Sequence, residues 1–427
     1  MKKPNVLFIL TDQLALQAIG AYGNTFVKTP NIDALARRGV RFEKSYCSAP
    51  VCSPSRSSLL TGCMPHETGI EVNGPDMHAD MPNLGEMFRD AGYETAYIGK
   101  WGVGTYRGFD FAESVHADGV NKHYGSDTDP LWTDQAIAFL QKPHDDPFLL
   151  VTSLHNPHDI CYWVMEHHHL TDEVSADALP PLPDNFDPDP EEPEFITACR
   201  LRTHYGNEAN WTTDWNAIWW RRYIDAYYQL VARVDREVGR ILQALDEAGL
   251  TDDTVIVFTS DHGEGMAAHK WVVKLMLYEE ESAVPFIISY PGVIPEDTAD
   301  KRHLVSGIDL VPTVCDYAGV DCPNSVRGVS MRPVIEKEKL RGRDYLVCQL
   351  SPDPERLEMK GRMVRSDRFK YVIFSEGQNP ELFFDLVKDP GEKKNLIDNP
   401  DFEKQVIHHR ALLNDWVLTT GDPFVLA

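Results

Sequence analysis

Four apolar runs along the chain end in the same way. "NVLFIL" (5–10) runs into Thr11, Asp12 and Gln13, and "ETAYIG" (94–99) runs into Lys100. "FLLVTS" (148–153) runs into His155 and His158, and "TVIVFTS" (254–260) into Asp261 and His262. Each run is short, rich in β-branched or aromatic residues and bounded by polar or turn residues, which predicts a buried strand; Val6–Leu10 is the first. Between them the period becomes helical. Leu230, Val231, Val234, Val238, Ile241, Leu242 and Leu245 recur at helical spacing, Gly249 follows as a C-cap, and Asp252 and Asp253 lead into the next strand. Strands alternating with helices predict an α/β layered domain around a large mixed, mostly parallel sheet sandwiched by helices. Ligands of such sheets bind beyond the carboxyl ends of the strands. The four runs therefore deliver their polar residues to one rim.

The pattern breaks twice. Residues 160–220 are acidic, proline-rich and aromatic, as in "LPPLPDNFDPDPEEPEF" and "WTTDWNAIWWRRY", and read as an insertion or long lid on the core. After residue 337 the runs "LRGRDYLVCQL", "GRMVRSDRFKYVIF" and "ELFFDLVKDP" read as short antiparallel strands, with a closing helix over 400–416. This divides the chain into a large domain, 1–337, and a smaller C-terminal antiparallel-sheet domain, 338–427.

Charge narrows the function classes. With 66 acidic and 41 basic residues the 427-residue chain carries −25, which argues against a general nucleic-acid binder. An anionic substrate then needs local positive charge or a metal. No apolar run has the length of a membrane span. The opening "MKKPNVLFILTDQ" stops at Asp12, too soon for a signal-peptide core, so a cytoplasmic location is expected as the sequence stands, and a periplasmic or secreted one if a leader has been removed. Eight cysteines without dense spacing predict buried thiols, at Cys47, Cys63, Cys161, Cys199, Cys315, Cys322 and Cys348, and not a disulfide scaffold.

The rim residues carry the chemistry. Asp12, Gln13, Asp261 and His262 offer carboxylate, amide and imidazole donors, a set that suits a hard cation such as Ca²⁺, Mg²⁺ or Mn²⁺. Either pair alone is equally well a helix cap or a turn; two acidic pairs on strands from opposite ends of the sequence point to a metal. Arg56, Lys100 and Lys274, with His158 and His269, follow the same strand ends or nearby loops. Each alone is an ordinary surface charge; together they can neutralise a tetrahedral oxyanion and its leaving group. "EHHH" at 166–169 reads as a polar loop, and Trp211, Trp215, Trp219 and Trp220 either stack on a sugar or anchor the insertion on the core.

The stretch Cys52-Ser53-Pro54-Ser55-Arg56, continuing into "SSLLTG", resembles the Cys-x-Pro-Ser-Arg signature of the formylglycine-dependent sulfatases of the alkaline-phosphatase-like superfamily. The flanking segments follow in that family's order: "PNVLFILTDQ", "GYETAYIGKW", "SLHNPHD", "VIVFTSDHGE", "HKWVVKLMLYEEESAVPFIISYPG" and the C-terminal "RMVRSDRFKYVIF". The resemblance spans nearly the whole chain and is weakest across 104–145 and 160–220. It implies an alkaline-phosphatase-like fold. It also implies that a maturase oxidises Cys52 to formylglycine (3-oxoalanine), and that the modified residue joins Asp12, Gln13, Asp261 and His262 on one cation, Ca²⁺ first. By the same resemblance Arg56 stabilises the aldehyde hydrate, Lys100 and Lys274 bind sulfate oxygens, and His158 sits near the leaving-group oxygen.

The implied activity is hydrolysis of an organic O-sulfate ester, a sulfated saccharide by family analogy. The hydrate has one hydroxyl to attack sulfur and a second to expel sulfate, which a plain serine or cysteine lacks. Two departures stand out. The family's Lys-Trp-His is Lys100-Trp101-Gly102 here, with His66 and His269 as candidate replacements. Position 13 is Gln where many relatives have Asp, a feature shared with relatives that hydrolyse phosphonate or phosphate esters. A phosphodiester or phosphonate monoester hydrolase is thus one alternative, and a non-catalytic binder of sulfated glycan with unconverted Cys52 is another. Oligomeric state is left open by the sequence.

Overall fold

The first apolar run becomes the central strand of the protein. In the computed structural model, which describes residues 3–113, 124–166, 179–201, 211–336 and 340–425, that strand is flanked by the third and fourth runs. In chain order the strands are β1 (Asn5–Asp12), β2 (Val40–Phe42), β3 (Ser45–Tyr46), β4 (Glu94–Gly99), β5 (Phe111–Glu113), β6 (Phe148–Pro157) and β7 (Thr254–Ser260). They continue as β8 (Phe286–Ser289), β9 (Thr298–Asp300), β10 (Val305–Ser306), β11 (Tyr345–Leu350), β12 (Gly361–Ser366), β13 (Phe369–Phe374) and β14 (Glu381–Asp385). Eight of these form one sheet in the order β5-β4-β6-β1-β7-β8-β2-β9, in which β8 alone runs antiparallel. The expected large, mostly parallel sheet is therefore present.

Alternation along β1 sends side chains to two cores. Leu7 and Ile9 join Leu150, Ile256 and Phe258 under the helices Gly125–Gln141 and Ala217–Glu247. Val6, Phe8 and Leu10 join Val255 and Val257 on the other face, under the helices Cys52–Thr61 and Leu310–Ala318. A parallel sheet covered on both faces needs continuous apolar strands, which is why these runs lack a polar phase.

The long helix Ala217–Glu247 begins where the Asn216 side chain accepts the N–H groups of Ile218 and Trp219, and Gly249 follows it in the left-handed conformation at φ 68°. It starts earlier than the aliphatic periodicity predicts, because Trp220, Tyr223, Ile224 and Tyr227 continue the same buried face. Where it is described, the stretch 160–220, read as an insertion or long lid, has both of its ends in the core. Ile160 and Cys161 are fully buried in the main core, and Trp220 is 2% exposed there, with Trp215 packed against it. Trp215 and Trp220 thus anchor; the side chain of Trp211 and residues His167–His169 of the "EHHH" stretch lie outside the described residues.

Strands β11 to β14 form the expected small antiparallel sheet. The helix Glu403–Thr420 covers one face through Val406 and Leu413. The other face packs Cys348, Met363, Val372 and Phe374 against Trp271, Met276, Leu277 and Tyr278. The small sheet therefore backs the segment that carries Lys274. No disulfide links the eight cysteines, and among the described residues no helix is long and apolar enough to cross a membrane.

Candidate active site

Strand register builds the rim. Thr11 of β1 lies beside Ser260 of β7, one residue before Asp261. On the other side the β1–β6 register slips between Leu10 and Asp12, so that Asp12 lies beside Pro157 and one residue from His158. A bulge of this kind re-aims the side chain at a strand end. Lys100 follows β4, with its N–H bonded to the Ser153 carbonyl of β6 at 2.9 Å.

Cys52 is the first residue of the helix Cys52–Thr61, all of which is buried. Its Sγ lies 3.3 Å from His262 Nε2, 3.1 Å from Lys274 Nζ, 3.7 Å from Asp12 Oδ1 and 3.8 Å from Lys100 Nζ. Burial and Asp12 push the thiol up, but Lys100, Lys274 and His262 outweigh them and bring it down to about 7. A helix N-terminus favours negative charge at this point as well.

Arg56 is fully buried one turn further on, and all three of its guanidinium nitrogens are hydrogen-bonded. Nε meets Asp261 Oδ2 at 2.7 Å and Nη2 meets Asp12 Oδ2 at 2.9 Å. Nη1 bonds the Lys100 carbonyl and Ser153 Oγ, each at 2.8 Å. The arginine that the resemblance assigned to the hydrate thus holds the two carboxylates. Burial works against Asp12, but Lys100, His158, Arg56 and Lys274 hold it well below the usual carboxylate range; Lys100 Nζ is 2.6 Å from its Oδ2. Burial and the Asp12 charge raise Asp261. Burial works against protonation of His262, but Asp261 and Cys52 raise it overall.

Gln13 is fully buried at φ 70°, with its N–H on Asp261 Oδ1 at 3.0 Å. Its Oε1 receives Lys274 Nζ at 2.8 Å and Cys161 Sγ at 3.3 Å, and its Nε2 donates to Glu264 Oε2 at 2.5 Å. Lys274 comes from a tightly wound segment in which Met266, Ala267, His269, Lys270, Val273 and Leu275 all have positive φ. Tyr223 Oη and Glu264 Oε1, each 2.8 Å from the Val273 N–H, fix it. Burial pushes the Glu264 carboxyl up to about 8, against the pull of Gln13, Met266 and Val273. Its hydrogen-bond partners all donate to it.

His158 stands beside this cluster. Burial, Lys100 and Lys274 hold it well below the usual histidine range, with Asp12 opposing them. Its Nδ1 lies 3.1 Å from His155 Nε2, which leaves its own Nε2 for a ligand. His269 and His66 are elsewhere. His269 stacks on Tyr278 at 3.9 Å and contacts Asn185, and burial drives it down to about 3. His66 meets Gln349 at 2.9 Å and packs edge-on against Trp416. Neither structurally replaces the family histidine. Gly102 does border the site: at φ 73° it sits where a Cβ would lie 3.2 Å from Arg56 Cδ.

The donor set suits a cation. Ligand atoms of Asp12, Cys52, Asp261 and His262 lie within 4.8 Å of one another, all buried, with the Cys52 Sγ standing in for the oxygen of a modified side chain. Gln13 Oε1 shares Lys274 Nζ with Cys52 Sγ and so faces the same point. Two buried carboxylates, an amide oxygen and an imidazole nitrogen form a mainly oxygen-donating shell of the kind hard divalent ions take. Sequence reasoning put His155 at the rim without giving it a role, read Cys161 as a buried thiol, and passed over Ser153, Tyr223 and Glu264. Ser153 and Glu264 carried a signal, since they end or follow the same strands; Tyr223 lay in the stretch read as an insertion.

Comparison with known proteins agrees with this geometry. Residues 4–320 match the Sulfatase family model, and residues 267–416 match the model for the C-terminal part of N-sulphoglucosamine sulphohydrolase. Over 443 residues the chain is 34% identical to the Delta 4,5-hexuronate-2-O-sulfatase of Bacteroides thetaiotaomicron, covering 99% of this chain and 90% of that protein. A solved 2-O GAG sulfatase superimposes with a TM-score of 0.89 at 34% identity, covering 99% and 93% of the two chains. A second structure, solved with its substrate D-glucosamine-2-N,6-O-disulfate, gives a TM-score of 0.81 at 25% identity over 99% of each chain. The chain belongs to the sulfatase family. It is accordingly an enzyme, a sulfuric ester hydrolase.

Proposed function

We propose that this sulfatase removes an O-sulfate group from a sulfated saccharide, using an aldehyde made from Cys52 and one divalent cation, Ca²⁺ first. The observation that carries the reading is the convergence of Lys274 Nζ, 3.1 Å away, and Lys100 Nζ, 3.8 Å away, on Cys52 Sγ in a protein of net charge −25. A sulfate ester approaches against the average field and is received by local positive charge. The 34% identity to a hexuronate 2-O-sulfatase supports a sulfated uronic acid as the first substrate to test.

Asp12, Gln13, Asp261 and His262 would hold the cation, which supplies Lewis acidity toward the residue-52 side chain and the sulfate oxygens. The hydrated aldehyde would supply an attacking hydroxyl, whose proton Asp261 would accept, and a second one whose proton loss would free sulfate. Arg56 bridges both carboxylates and offsets their charge. Lys100 and Lys274 bind the non-bridging oxygens and offset the charge that grows on them as the S–O bond breaks. Burial, Lys100 and Lys274 hold His158 neutral. The negative charge of the arriving ester opposes the two lysines, so that His158 takes up a proton from solvent with the substrate and delivers it from Nε2 to the departing alcohol.

The test is turnover of a defined panel by protein co-expressed with a maturase: unsaturated hexuronate 2-O-sulfate, glucosamine 6-O-sulfate, and matched phosphate and phosphonate esters. Release of sulfate from a saccharide, lost in Cys52→Ala and on exhaustive chelation, is expected. Faster turnover of the phosphorus esters, or full activity in Cys52→Ala, refutes the reading.

A further inference from the structure

We infer that Glu264 is a positioning residue for the cation site: it fixes the Gln13 amide with its oxygen toward the metal and so makes position 13 a neutral donor. This deepens the metal reading above and rests on it. A Gln side chain has two chemically opposite ends, and something must decide which one faces the ion. Here Glu264 Oε2 takes the Nε2 end at 2.5 Å, and Oε1 is left to Lys274 Nζ at 2.8 Å. Glu264 is itself held from behind. Its Oε1 accepts the Tyr223 hydroxyl, the Val273 N–H at 2.8 Å and the Met266 N–H at 3.5 Å. All of these groups are buried.

The consequence for position 13 is one of donors and acceptors. A carboxylate there would meet Glu264 Oε2 oxygen to oxygen and lose the hydrogen bond that Gln13 Nε2 donates. An amide removes the conflict and adds a hydrogen bond. The same carboxylate also grips the Val273 N–H beside Lys274, so one buried group sets both a metal donor and a sulfate-binding lysine. Glu264 touches neither ion nor substrate; it acts through Gln13.

The experiment is calorimetric titration of Ca²⁺ into the metal-free full chain, with melting curves, for wild type, Glu264→Gln, Gln13→Glu, the double variant Gln13→Glu/Glu264→Gln, and Tyr223→Phe. Glu264→Gln is expected to weaken Ca²⁺ about 10- to 100-fold, the usual cost of losing an outer-sphere partner, and Tyr223→Phe by a smaller factor. Gln13→Glu should lower the melting temperature of the metal-free protein. The double variant reverses donor and acceptor at unchanged length, and should recover both the melting temperature and at least wild-type affinity. If wild type binds Ca²⁺ while Glu264→Gln and Tyr223→Phe bind it equally well, or the double variant recovers nothing, the positioning role is overturned and the metal reading stands. If wild type binds no divalent cation, the metal reading falls and this inference with it.

Discussion

Replacing Arg56 by leucine isolates the electrostatics of the rim. Arg56 is fully buried and pairs with Asp261 at 2.7 Å and Asp12 at 2.9 Å, carboxylates that are themselves fully buried. Removing one partner of a buried pair leaves uncompensated charge and costs about 3–5 kcal/mol. At about 2.1 cal/mol/K per residue the unfolding entropy of this 427-residue chain is about 0.9 kcal/mol/K, so the melting temperature should fall by about 3–6 °C in chelator. A divalent cation is a second counter-charge for the same two carboxylates. In saturating Ca²⁺ the deficit should therefore shrink by about 1.4 kcal/mol or more, a tenfold gain in relative cation affinity. Arg362→Leu is the control. Arg362 forms a comparable fully buried pair with Asp422, 2.6 Å away, in the small-sheet part of the chain. It should cost a similar amount, with no relief from Ca²⁺. Calorimetric melts of both variants, with chelator and with Ca²⁺, give the answer. An Arg56→Leu loss below about 1 kcal/mol, or one that Ca²⁺ leaves unchanged, refutes a rim built on shared carboxylates.

Lys100→Ala and Lys274→Ala should each lower kcat/KM about 10²-fold or more, the scale of one charge-stabilising contact; near-wild-type values in both would separate the lysines from the chemistry. His158→Ala should slow esters of sugar alcohols far more than activated aryl sulfates, and equal losses on both would remove it from the acid role. His269→Phe tests a different role. The folded protein holds His269 down at about 3, so its contribution to stability is complete above the unfolded value near 6.5 and is lost as pH falls. Denaturation between pH 7 and 4 should show a flatter loss of stability in the variant than in wild type, and parallel curves would contradict a buried neutral histidine.

Much of the site was readable because strand ends are local. The runs ending at Asp12, Lys100, His158 and Asp261 needed only a short apolar segment and its polar terminus, and β1, β4, β6 and β7 appear at those places. His269 shows the limit. It lies five residues from Lys274 and looked equivalent to it. The left-handed turns between Met266 and Leu275 send its ring onto Tyr278 instead. The aromatic stretch 211–220 left two readings open, stacking on a sugar or anchoring on the core, and Trp220 takes the second because it continues the buried face of a helix whose aliphatic half lies further along the chain.

By itself the sequence determined the layered α/β architecture, the small antiparallel sheet and the residue types that meet at the rim. Those follow from hydrophobic period and from which side chain stands where an apolar run stops. Only the tertiary structure decided how those side chains pair. Arg56 reaches Asp261 across 205 positions, Lys274 reaches Cys52 across 222, and Gln13 reaches Glu264 across 251. No local pattern encodes a contact of that span. The register of β1 against β6 and β7 fixes Asp12 and Gln13, the helix Cys52–Thr61 carries Cys52 and Arg56, and the left-handed turns between Met266 and Leu275 place Lys274. They turn an arginine that the resemblance assigned to the aldehyde hydrate onto two carboxylates, and give a buried glutamate the Gln13 amide as its partner.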